Sequence, residues 1–74
     1  MTHGIVEGNV VVGVGTGIEV GYGSIVIGNT SLNNSGVGID VVCPANVTNN
    51  TATGNSVNIQ LSGEGCNNTN NVAP

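Results

Sequence analysis

The chain contains no lysine and no arginine, and four acidic residues leave it with a formal charge of −4. Nucleic acids and anionic membrane surfaces are held through basic side chains, so neither is expected as a partner. Tryptophan and phenylalanine are also missing, and leucine occurs twice, too rarely for a leucine-rich repeat. No apolar run approaches the ~18 residues that a membrane-spanning helix needs. The start, Met1-Thr2-His3-Gly4, has neither a basic segment nor a long apolar stretch, and no secretory signal is expected there. With 74 residues the chain makes one small domain, residues 1–74, near the lower limit for burying a core of its own.

What the chain has in abundance is Gly, Asn and Val, 13 of each, and these recur on a period. Asn9, Asn29, Asn50 and Asn71 form one column with spacings of 20, 21 and 21 residues. Ile18-Glu19-Val20, Ile39-Asp40-Val41 and Ile59-Gln60-Leu61 form a second, spaced 21 and 20. Two independent columns with one period indicate a solenoid. A disordered low-complexity tract has the same low charge, but it does not keep its apolar residues in register.

The composition favours strands and bends over helices. The apolar-polar-apolar triplets read as short strands with one face in and one face out, and Gly and Asn punctuate them every few residues. A coil of 20 to 21 residues then holds about three short strands of 3 to 5 residues. The expected fold is all-β, a parallel β-helix of about three to three and a half coils, with like residues ~4.8 Å apart. Ile18, Val20, Ile39, Val41, Ile59 and Leu61 should point inward on one strand of each coil. Val6, Val26 and Val47 should do so on a second, and Val11, Ser31 and Ala52 on a third. The Asn column should sit inside a bend, each amide bonding backbone and the Asn of the next coil, in the left-handed conformation that Asn tolerates.

The run Gly17-Ile18-Glu19-Val20, then Val26-Ile27-Gly28-Asn29 and Asn33 or Asn34, recurs as Gly38-Ile39-Asp40-Val41, Val47-Thr48-Asn49-Asn50 and Asn55. This pattern resembles the right-handed parallel β-helix repeats of the pectin-lyase-like superfamily over roughly residues 4 to 72. The tail from Cys66 to Pro74 looks like a closing coil of such domains. The resemblance implies the right-handed fold but no one activity, because the same repeat serves lyases, hydrolases, epimerases, phage tailspikes and purely structural coils. Polysaccharide lyases of this type work with basic side chains, which this chain lacks.

Five apolar residues are left facing outward, all in the first two coils: Val10, Val12, Ile25, Ile27 and Leu32. Their counterparts in later coils are Asn46, Thr48, Thr51 and Thr53. An apolar outer wall on a marginally small solenoid is expected to be a self-association surface. A triangular cross-section offers flat sides that meet around an axis, and trimeric β-helices resembling this one occur in phage fibres. A homotrimer is therefore expected, with a dimer as the runner-up.

Cys43 and Cys66 fall at neighbouring sites on adjacent coils. They are either a disulfide, which would place the chain in an oxidising, extracellular or cell-surface setting, or two reduced buried thiols. Glu19 and Asp40 share an outward column, with Gln60 as its third member. Two carboxylates ~5 Å apart suit a retaining glycosidase or a thinly held Ca²⁺, but an acidic ladder in solvent asks for nothing more. His3 is expected to be disordered near the terminus, and no nucleophile-His-acid set can be assembled around it. Gly13-Val14-Gly15-Thr16-Gly17 lacks the helix and lysine of a phosphate loop. Five Asn-x-Ser/Thr triplets, at Asn29, Asn33, Asn46, Asn49 and Asn67, follow from the repeat itself. No enzyme activity, metal or cofactor is expected. The expected function is a structural, self-assembling β-helix. The alternatives are a surface that binds carbohydrate or ice, for which Thr51-Ala52-Thr53 is the one T-x-T pair, and the remnant of a polysaccharide-processing enzyme.

Overall fold

In the computed structural model, which describes residues 3–74, ten short strands are wound into a coil of about three turns. Met1 and Thr2, part of the start read above, lie outside the described residues. The first coil holds β1 (Ile5–Glu7), β2 (Val10–Val12) and β3 (Ile18–Val20). The second holds β4 (Ile25–Ile27), β5 (Thr30–Leu32) and β6 (Val37–Val42). The third holds β7 (Asn46–Thr48), β8 (Thr51–Thr53) and β9 (Val57–Ser62), and β10 (Asn67–Thr69) begins a fourth. The strands stack into three parallel sheets, in the orders β1-β4-β7-β10, β2-β5-β8 and β3-β6-β9. This is the all-β parallel solenoid that the period predicts. Strands β6 and β9 run to six residues, longer than expected, because Val37 pairs with Val57 and Val42 with Ser62 beyond the central triplet.

The registers follow the columns read from the sequence. Ile18 pairs with Ile39 and Ile39 with Ile59, Val6 with Val26 and Val26 with Val47, Val11 with Ser31 and Ser31 with Ala52. The interior is a stack of small aliphatic side chains, and burying one of Val or Ile size contributes about 1.5–3 kcal/mol. Ile18 and Val20 are buried already on the first coil; on the other two sheets, position along the axis sets how well each is covered. Val26, Ile39, Val41 and Val47 have a coil on each side and no exposure. Val6 and Val11 on the first coil, and Ile59 and Leu61 on the last full one, are half-buried.

The bend between the first and second sheets is two residues long, and its conformation differs from expectation. The left-handed residue is not the column Asn but the one before it: Gly8 (φ 68°), Gly28 (φ 67°), Asn49 (φ 55°) and Asn70 (φ 55°). Gly and Asn are the residues that reach this region at least cost, which explains why the site holds Gly on two coils and Asn on two.

A second column restricts residue size for another reason. A Cβ on Gly38 would lie 2.7 Å from the Asn58 carbonyl oxygen and closer still to the Asn55 amide. The side chain of the following coil occupies the space, so the column reads Gly17, Gly38 and, on the last coil, Asn58.

Ser24 stands in the interior column that continues as Ala45 and Cys66, and its buried hydroxyl has no hydrogen-bond partner. An unpaired buried hydroxyl costs about 1–3 kcal/mol. Ser24→Ala, which installs the residue of the next coil, should therefore stabilise the chain by about 1 kcal/mol in denaturant titration. A loss of stability of that size would show that the hydroxyl is satisfied in solution.

Candidate functional site

The four column asparagines form a continuous ladder inside the two-residue bend. The Asn29 backbone N–H and its Nδ2 both donate to Asn50 Oδ1, at 2.9 and 3.0 Å. Asn50 repeats the pattern onto Asn71 at 2.9 and 3.0 Å, and Asn9 onto Asn29 at 3.0 and 3.1 Å. Three of the four Nδ2 groups also reach back to a carbonyl of an earlier coil, Asn29 to Val6, Asn50 to Val26 and Asn71 to Val47, while that of Asn9 donates to the Glu7 carbonyl of its own coil. Asn29 and Asn50 are buried and fully paired, as buried amides must be.

A second ladder runs at the next corner, where sequence reading had noted only a spacing. Val14 N–H donates to Asn34 Oδ1, and Asn34 N–H and Nδ2 donate to Asn55 Oδ1, at 2.9 and 2.8 Å. The signal lay in the repeated interval of five residues, Asn29 to Asn34 and Asn50 to Asn55. Both ladders end in the same way at the C-terminal side. Asn58 Oδ1 accepts from Asn55 N–H and Nδ2, and Asn68 Oδ1 accepts from Asn71 Nδ2. Asn58 occupies the Gly column and Asn68 the interior Val column. Each supplies the carboxamide oxygen that a further coil would otherwise provide.

Cys43 and Cys66 are joined as a disulfide, with Cα atoms 5.1 Å apart. The link ties the bend after β6 to the start of β10, so it fastens the last partial coil to the one before. His3, expected as a free end, makes contacts to the next coil. Its backbone N–H donates to the Tyr22 carbonyl, and its ring meets the Tyr22 ring edge-on at 5.1 Å.

The five residues of the outer wall all point outward, but they belong to two sheets. Ile25 and Ile27 lie on β4, Val10 and Val12 on β2, and Leu32 on β5. Val10 is 71% exposed, Val12 53% and Ile25 39%, with Ile27 and Leu32 half-buried. Ile5, 65% exposed and in register with Ile25, belongs with them and was missed. Alternation in Ile5-Val6-Glu7 was its signal, since an inward Val6 turns Ile5 outward. The wall is thus two apolar strips meeting at the Gly8 and Gly28 bends. Farther along the axis the same columns become Asn46 and Asn67, Thr48 and Thr69, and Thr51 and Thr53.

Glu19, Asp40 and Gln60 stand in register on the third sheet, and the first two border an open depression with Val20, Gly21 and Val42. A second depression is lined by Gly23, Ser24, Ile25, Pro44, Ala45, Asn46 and Gly65. Neither lining combines a nucleophile with a base and an acid. Among the described residues no three His, Cys, Asp or Glu are grouped to hold a metal ion, and no helix is long and apolar enough to cross a membrane. The feature that sets this molecule apart is therefore a surface, the apolar corner. Comparison of the chain with protein-family models, curated proteins and solved structures finds no match.

Proposed function

We propose that the chain is a structural self-assembly module without chemistry of its own, a β-helix of the pectin-lyase-like type that forms a homotrimer through its apolar corner. The observation that supports this reading is the pair of apolar strips on two adjoining sheets. Two unlike faces meeting at a corner make a wedge. If the strip of Ile5, Ile25 and Ile27 meets the strip of Val10, Val12 and Leu32 on the next copy, three wedges close a ring. A two-fold dimer would cover each strip only with itself and suits one flat face better than two. Apolar strips of this kind on a small chain are the usual mark of an interaction surface. The disulfide favours an oxidising, extracellular or cell-surface setting.

A second reading, a glycan-binding face, rests on the outward threonines in register, Thr30 with Thr51 and Thr48 with Thr69. Thr48, Thr51 and Thr69 lie farther along the axis, on the hydrated half of the same two sheets, while Thr30 stands on β5 beside Leu32.

The test is solution mass. At micromolar concentration the native chain should run as a trimer or a multiple of it. Ile25→Lys with Ile27→Lys puts charges without partners into a dry contact, and at least a hundredfold weakening is expected from a cost of several kcal/mol. A native monomer, or a double variant that keeps its assembly, would rule out the corner as the interface.

A further inference from the structure

Of the five Asn-x-Ser/Thr triplets, the fold consumes some and leaves others free. At Asn29-Thr30-Ser31 both ends are used. Asn29 Nδ2 donates to Asn50 Oδ1 and to the Val6 carbonyl, and Ser31 Oγ donates to the Gly38 carbonyl. Both residues are buried. At Asn33-Asn34-Ser35 the middle residue is buried in the second ladder, and the Asn33 carboxamide lies against Gly54 of the next coil. Asn49-Asn50-Thr51 straddles a bend. Asn49 is left-handed, Asn50 belongs to the first ladder, and Thr51 already stands on β8.

Asn46-Val47-Thr48 is not a by-product of the repeat in this way. It is the whole of β7, and Val47 in the middle points into the core with no exposure. Side chains two apart on a strand share a face, so Asn46 and Thr48 stand side by side on the outer surface. Asn46 is exposed and Thr48 half-buried, and among the described residues no hydrogen bond holds either side chain. β7 lies between β4 and β10, so this exposure comes from the direction the face points and not from an end of the stack. The same outer positions hold Ile5 and Glu7, then Ile25 and Ile27, on the earlier coils, and Asn67 and Thr69 on the next. Neither the core nor the ladders therefore call for Asn and Thr at 46 and 48.

We propose that Asn46 is an N-glycosylation site. Asn-x-Thr is the acceptor that oligosaccharide transferases of a secretory pathway read, and the Cys43–Cys66 bond suits the oxidising compartment in which they work. The donor is an oligosaccharide on a polyprenyl diphosphate. Asn46 Nδ2 bonds to the anomeric carbon, and the bond from that carbon to the diphosphate oxygen breaks. The diphosphate leaves with the electron pair, and one Nδ2 proton passes to the transferase. Transfer precedes folding, so the fold acts as a filter. A glycan on Asn29 takes a proton that the ladder needs, whereas one on Asn46 leaves every bond of the solenoid in place. Asn67 stands in register with Asn46 at about 4.8 Å, too near for a second glycan, and Asn46 is synthesised first. Asn46 also continues the column of Ile25, so a bulky hydrated group there stands where the next copy passes in the ring proposed above.

The test is the full chain passed through a eukaryotic secretory pathway behind a cleavable signal. Site mapping by mass, after a glycoamidase has turned each carrying Asn into Asp, should find a glycan at Asn46 and none at Asn29 or Asn67. Thr48→Val keeps a β-branched residue on the strand and removes the hydroxyl. It should leave Asn46 bare while β-type circular dichroism persists. A native chain with Asn46 unmodified, whether bare or glycosylated elsewhere, overturns the proposal, and so does a glycan still on Asn46 in Thr48→Val. If Thr48→Val does not fold, the map of the native chain decides alone. The consequence for assembly rests on the corner reading and is read separately. Glycosylated chains should run as single copies, and chains made without glycan should form the ring. Glycosylated chains that form the same ring count against the corner, while Asn46 stands as the site.

Discussion

Asn50→Ala should lower the melting temperature by at least about 12 °C, and at 37 °C it should leave much of the chain unfolded. The side chain sits at the middle of the first ladder with no exposure to speak of, and its neighbours depend on it from both sides. Its removal takes the acceptor from Asn29 N–H and from Asn29 Nδ2, and the donor from the Val26 carbonyl. Asn71 Oδ1 keeps one of its two donors, the Asn50 backbone N–H. Asn29 N–H loses its only partner, at about 1–3 kcal/mol, while Asn29 Nδ2 keeps its bond to Val6 and, like the Val26 carbonyl, loses one bond worth about 0.5–1.5 kcal/mol, so the total is on the order of 4 kcal/mol. Domains of this size are stable by roughly 4–11 kcal/mol at 0.05–0.15 kcal/mol per residue. Each kcal/mol moves the midpoint by about 4–8 °C. Asn50→Asp is no rescue, since it restores the acceptor but buries a charge and still supplies no donor. Asn9→Ala is the internal control. Asn9 is exposed at the end of the ladder, and it donates to Asn29 Oδ1 without accepting from a further asparagine. Its loss should cost about 1 kcal/mol. Equal effects at Asn9 and Asn50 would show that the ladder is not a cooperative element.

The contrast between those two positions also marks how much was legible beforehand. Period alone placed Asn9, Asn29, Asn50 and Asn71 in one column and Ile18, Ile39 and Ile59 in another, because a solenoid turns sequence spacing directly into spatial neighbourhood. Facing was legible for the same reason: alternation within Ile18-Glu19-Val20 leaves one solution once the core side is chosen. The closures at the end of the stack were not legible. Asn58 and Asn68 read as further polar residues in an Asn-rich tail, and their role depends on what the next coil does not place above them. The left-handed site was assigned one residue late, since Asn49-Asn50 and Asn70-Asn71 offer two asparagines and only Gly8 and Gly28 reveal which of the two carries positive φ. Strand ends at β6 were hidden by Gly38, which looks like a bend residue. It lies within the strand because the Asn55 amide, in the next coil, fills the space its side chain would take. His3 was read as a free end, yet Tyr22, one coil along, gives it a ring to pack against. Function was the least legible part. Composition argues against whole classes of partner as an expectation, and exposed apolar side chains name a surface and not its occupant.

Reducing the Cys43–Cys66 bond should lower stability by about 3 kcal/mol, and the damage should be confined first to the last partial coil. The bond closes a sequence separation of 23 residues, one coil plus a bend. Loop-closure entropy for a ring of that size gives about 3 kcal/mol of stabilisation at room temperature, within the usual range of 2–4. Against a total of roughly 4–11 kcal/mol this is a large share for so small a domain. The part it guards has little else. All three residues of β10 are exposed, Cys66 is the only partly buried apolar group at its start, and Val72 is 55% exposed. Without the bond, the last partial coil is held by the ladder of β10 to β7, by Asn71, by the backbone bonds of Val72 to Asn50 and Ala52, and by Asn58 on the Pro74 carbonyl. Local opening there removes the oxygen that receives Asn50 N–H and Nδ2, so the fray passes into the buried ladder. In the reduced protein, amides of Asn67, Asn50 and Val72 should exchange well before those of Ile39 and Val41. Global unfolding should follow at a midpoint lower by about 12–24 °C. A reduced chain that melts with the oxidised one, or that loses protection uniformly along the stack, would show that β10 is held by its asparagines and not by the bond.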